Sequence, residues 1–126
     1  MSVVLVLAGG VYHLFFGFFH AAFWKMKPFN WREELPAMSP VNRFVIQGMN
    51  IAVITFMFLI AYVSMRHTGE LLTTPLGKTI LMGTAIFWLV RLGVEFTLKE
   101  RGAAKPALVI AFLLGVMLYV LPVALV

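Results

Sequence analysis

Cysteine is absent from the 126 residues, which excludes disulfides, thiolate zinc sites, iron–sulfur clusters, c-type haem attachment and disulfide redox chemistry together. Charge is scarce as well: 12% of residues are Asp, Glu, Lys or Arg, against 62% hydrophobic. A water-soluble domain of this size is mostly surface and cannot hide so much apolar side chain. The sequence therefore points to a membrane. No serine stands in a nucleophile motif with histidine and acid, and no glycine-rich phosphate loop occurs. The first apolar run lacks a basic leader before it and a small-residue cleavage site after it, so it is expected to be retained rather than removed as a signal peptide.

What is present is four apolar runs of the length that crosses a hydrocarbon core of roughly 30 Å. They predict an all-α integral membrane four-helix bundle forming one domain, with helices over about 2–24, 39–66, 75–101 and 106–126. Trp24, Lys25 and Lys27 close the first with an aromatic and basic border. Ser39-Pro40 and Thr74-Pro75 read as N-caps followed by proline at the first helical position. Arg66, His67 and Gly69 stop the second helix, leaving His67 in a solvated loop, and Gly102 is the expected C-cap of the third after Lys99, Glu100 and Arg101. Asn30 and Glu33 have capping-box spacing, which predicts a short interfacial helix from Trp31 to about Leu35, ended by Pro36, with Trp31 and Leu35 facing lipid. The fourth run has no Asp, Glu, Lys, Arg or His between Pro106 and the C-terminus; Pro122 is expected to bend its last turn.

The net charge of +5 arises from Lys and Arg beside the apolar runs, a topology signal that favours anionic lipid over nucleic acid as partner. Lys25, Lys27, Arg32, Arg43, Lys99, Arg101 and Lys105 fall on one side, Arg66 and Lys78 on the other. That bias places the first and third connections in the cytoplasm and both termini outside.

An ionisable group facing lipid near the bilayer centre costs about 2.5 to 3.5 kcal/mol on insertion scales, so the polar residues inside the runs are expected to face inward. They fall into stripes: His13 and His20 with Gly9, Gly17 and Trp24; Arg43, Gln47 and Asn50; Thr84, Trp88, Arg91 and Glu95. At about 1.5 Å of rise per residue, His20 and Glu95 lie about 5 Å inside the cytoplasmic ends, Gln47 and Arg91 about 10 Å, His13 and Asn50 about 14 Å. The candidate site is one inward-opening polar pocket of His13, His20, Arg43, Gln47, Asn50, Trp88, Arg91 and Glu95. Competing readings are structural: an Arg91–Glu95 pair that neutralises itself, a snorkelling Arg43, and Gln47, Asn50 and the histidines as interhelical hydrogen-bond partners. No cofactor is expected. His13 and His20 are about 10 Å apart along one axis, whereas helical metal ligands recur at i and i+3 or i+4, and His67 lies too far from His13 to share a haem. Gly115 with Ala107 and Ala111 forms a small-residue stripe for close packing, within the bundle or against another copy or subunit.

The string from His20 through Phe23-Trp24, Trp31, Leu35, Ser39-Pro40 and Asn42-Arg43 to Asn50, then Phe87-Trp88 and Arg91, resembles a family of small four-span bacterial inner-membrane proteins of unknown function. The resemblance implies a bacterial cytoplasmic membrane and four-helix topology, and no catalytic residue. The expectation is a non-enzymatic accessory or structural membrane subunit whose pocket stabilises the bundle or holds a lipid headgroup. The alternative is a small membrane enzyme or carrier acting on an amphipathic substrate.

Overall fold

The computed structural model describes residues 1–97 and 105–126. These are helical almost throughout and contain no strand. Helix α1 (Ser2–Ala21) continues into a 3₁₀ turn, Ala22–Lys25; α2 spans Trp31–Ala37, α3 Pro40–Arg66, α4 Thr68–Thr73, α5 Pro75–Thr97 and α6 Lys105–Ala124. Among the described residues, four segments are long and apolar enough to cross a membrane: Ser2–Lys25, Pro40–Arg66, Pro75–Thr97 and Pro106–Ala124. Phe15, Phe18, Phe44 and Ile110 are largely exposed, as acyl-chain solvent allows and water does not. The expected run of the third helix through Lys99, Glu100 and Arg101 to Gly102 lies outside the described residues.

Both proline signals act where they stand. Ser39 Oγ accepts the Asn42 amide at 3.3 Å and Thr74 Oγ1 accepts that of Gly77 at 2.9 Å. Each cap satisfies one of the orphan donors of a helix start, and proline removes another.

The segment between the first two spans departs from expectation. Asn30 adopts the left-handed conformation (φ 47°) and makes no side-chain cap bond; its Nδ2 donates to Glu33 Oε2 at 3.1 Å. The capping box fails because Asn, which tolerates this conformation, no longer aims its carbonyl at the helix amides. Helix α2 also runs through Pro36 to Ala37, since a proline one residue from the end forfeits a single backbone bond. Trp31 does not face lipid. It is buried, edge-on to Trp24 at 5.0 Å and to Phe23 at 5.9 Å, because an indole covers more apolar area against other rings than an interface offers.

Helix α4 was hidden behind the stop signals Arg66, His67 and Gly69. His67 keeps the expected solvated place in the bend before α4, its side chain 41% exposed, and its Nδ1 bonds Glu70 Oε1 at 2.8 Å. Leu71 and Leu72 are buried. A Cβ on Gly77 would fall on Leu71 Cα and on the carbonyl oxygens of Glu70 and Leu71, so only glycine lets α4 lie on the start of α5.

The chain forms two compact units, Val11–Tyr62 and Met1–Gly10 with Val63–Val126. In the first, rings dominate where α1 ends: Phe23 stacks on Phe29 at 4.0 Å, and Phe19 meets Phe16 and Phe23 edge-on. In the second, Gly9 lies against the Tyr119 ring, and the buried Ser64 Oγ and Tyr119 hydroxyl share a hydrogen bond of 2.9 Å.

Candidate functional site

In the unit Val11–Tyr62 the polar stripe of α3 meets three successive levels of the preceding chain. Asn50 Nδ2 donates to the carbonyl of His20 at 2.9 Å, and its Oδ1 lies 2.8 Å from His20 Nδ1. A carbonyl only accepts, which fixes the amide orientation and makes Nδ1 the protonated nitrogen. That N–H is present in both the neutral and the cationic imidazole, so the pair survives protonation of the ring. One turn nearer the helix start, Gln47 Oε1 accepts Trp24 Nε1–H at 3.2 Å, and its amide donates to the Arg43 carbonyl. Arg43 then reaches the carbonyls of Pro36 and Met38 at 3.4 and 3.2 Å. The i, i+4, i+7 spacing thus holds the end of α1, the 3₁₀ turn and the end of α2 in sequence.

These partners correct the depth argument. His20, not His13, is level with Asn50, because α3 starts beyond the end of α1, beside the connection that Arg43 pins. Arg43 is also no simple snorkelling cation: its Nε is buried without a partner among the described residues, while its terminal nitrogen closes the α2–α3 turn. His13 is fully buried, its ring steeply inclined to those of Tyr12 at 5.5 Å and Phe56 at 6.4 Å.

In the other unit α5 turns Thr84 and Trp88 inward, both buried. Thr84 Oγ1 donates to its own Ile80 carbonyl at 2.8 Å, a self-contained solution that suits a dry helix face. Trp88 stacks on Phe112 of α6 at 5.7 Å with a 25° interplanar angle. Arg91 sits over the same Phe112 ring, its guanidinium carbon 4.5 Å from the centroid, and NH1 donates to Glu95 Oε2 at 3.2 Å. The Arg91 side chain is 39% exposed and that of Glu95 12%. The cation therefore combines a carboxylate on one edge, an aromatic face beneath and an accessible remainder; its other N–H groups bond no described residue. Such a guanidinium can take a second, bidentate anion beside the first. Among the described residues no three His, Asp or Glu side chains converge as a metal site requires.

Sequence reasoning missed Phe112, the Trp24–Gln47 bond and the Ser64–Tyr119 bond. Helical spacing reports which residues share a face, not which neighbour that face meets; for Phe112, one apolar residue in an apolar run, no sequence signal exists. Compared with known protein families, curated proteins and solved structures, the chain matches none.

Proposed function

We propose that this multi-pass membrane protein is a non-catalytic accessory or structural subunit in which Arg91 receives an anionic lipid headgroup. The observation that carries this reading is the state of Arg91: paired through one nitrogen to Glu95, supported by the Phe112 face and 39% exposed. Glu95 holds the cation while the site is empty and yields it to a phosphate or carboxylate, so the unliganded state avoids an isolated charge in lipid. The mutual engagement of His20 with Asn50 and of Trp24 with Gln47 supports a structural role for those residues over a membrane enzyme or carrier that would employ them on substrate. The basic-residue bias and the family resemblance support a bacterial cytoplasmic membrane with both termini outside, Arg91 then serving the inner leaflet.

The test is lipid retention after purification in mild detergent. Arg91→Gln abolishes retention of anionic lipid at this site, whereas Glu95→Gln preserves or strengthens it by removing the competing carboxylate. If both variants are destabilised to a similar degree with bound lipid unchanged, the pair is purely structural. Reporter fusions at the C-terminus and within residues 65–78 are expected to be active only when exported; activity of first-connection fusions outside reverses the orientation.

A further inference from the structure

The exposed side of α5 carries a second feature, some distance from Arg91. A groove of about 360 Å³ is lined by Lys78, Thr79, Met82, Gly83 and Ile86. It exists because position 83 has no side chain and no described residue enters the space: a Cβ built there meets none of their atoms within 4 Å. Its lining is almost wholly apolar, because Thr79 turns its hydroxyl to the Pro75 carbonyl at 2.9 Å. The exception is Lys78, whose ammonium has no ion pair or hydrogen bond among the described residues. Lys78 lies about 4.5 Å along the axis from Pro75, at headgroup level, and Gly83 about 7.5 Å deeper.

We propose that this groove binds one anionic phospholipid, its acyl chain lying over Gly83 and its phosphate held by Lys78. The cation at the shallow end and the dry slot below it match the polarity of such a lipid in the leaflet where α5 begins. A second copy of an apolar helix fits less well, since it fills the slot but offers no group of opposite charge to Lys78 at the shallow end. This site is independent of Arg91, which follows Lys78 by about 20 Å along the same helix.

The experiment counts lipids on the full chain by native mass spectrometry in mild detergent supplemented with phosphatidylglycerol or phosphatidylcholine. Gly83→Leu fills the slot and is expected to remove one bound phosphatidylglycerol. Lys78→Gln keeps the slot and is expected to reduce the preference for phosphatidylglycerol over phosphatidylcholine about tenfold. Arg91→Gln leaves this lipid in place, which separates the proposal from the reading above. If Gly83→Leu fails to fold, Gly83→Ala and Lys78→Gln carry the test. Wild-type lipid counts and headgroup preference in folded variants overturn it. So does displacement by inorganic phosphate at matched concentration, which makes the site one for the free anion. A dimer that Gly83→Leu converts to monomer without loss of lipid overturns it too, and assigns the groove to a second copy.

Discussion

In the unit Val11–Tyr62 a ladder of polar side chains is added to the ring packing, whereas in Met1–Gly10 with Val63–Val126 close approach of backbone and rings predominates beside the Ser64–Tyr119 bond. Asn50, Gln47 and Arg43 link α3 to three levels of the chain before it. Gly77 under α4, Gly9 against Tyr119 and the Trp88–Phe112 stack do the corresponding work in the second unit. The difference follows from the solvent. Lipid is as apolar as leucine, so burial alone does not select one helix pairing over another, and specificity must come from hydrogen bonds or from contacts that small residues permit. It also separates two kinds of polar residue. Those in the first unit are committed to internal partners, while Arg91 keeps an accessible edge.

The largest expected effect lies in the closely packed unit. Gly77→Ala places a methyl on backbone that no rotamer change can move, and should cost about 3 kcal/mol in detergent-unfolding titrations or release α4 altogether. Gly83→Ala is the control: its Cβ meets open space, and alanine should be neutral or stabilising by up to about 1 kcal/mol from helix propensity. Equal losses at both positions would mean that close approach is not what holds α4.

Next comes Asn50→Leu, which removes both part-buried hydrogen bonds to His20, with an expected cost of about 2 kcal/mol. Gln47→Leu removes one interhelical bond, that to Trp24, and should cost about 0.6 to 1 kcal/mol, the usual value between membrane helices. A ranking with Gln47→Leu above Asn50→Leu would break the ladder interpretation, because Asn50 alone makes two bonds across to α1.

Much of this arrangement was legible beforehand. Four apolar lengths, two Ser/Thr-Pro starts and the three polar spacings followed from hydropathy and helical periodicity. The segments that resisted are those where a short-range signal met a longer-range partner. Arg66, His67 and Gly69 carry stop signals, yet Leu71 and Leu72 rebuild a turn of helix because Gly77 offers them a surface. Asn30 has capping spacing, but its backbone takes the left-handed conformation. Trp31 has the composition of an interface anchor, but Phe23 and Trp24 give it a better place. The Arg91–Glu95 pair followed from its i, i+4 spacing, whereas Phe112 beneath it did not, since its neighbours in α6 are equally apolar.

The smallest expected effect concerns the one point where charge and close packing meet. Arg91 is attached to its unit by the Glu95 carboxylate and by the Phe112 face, and Arg91→Lys separates them. Lysine keeps the charge and can still reach Glu95, but it loses the flat guanidinium that lies on the ring and the fork that takes a second anion. The expected stability loss is about 0.5 to 1 kcal/mol, the range for an accessible cation–π contact. Because Phe112 is itself buried under Trp88, Phe112→Leu will destabilise for reasons unrelated to Arg91, and a double-mutant cycle is needed to isolate the shared part. A coupling near zero would assign Arg91 wholly to Glu95. A coupling of the expected size, together with weaker anionic-lipid retention in Arg91→Lys, would show that the packed unit shapes the guanidinium edge offered to the headgroup.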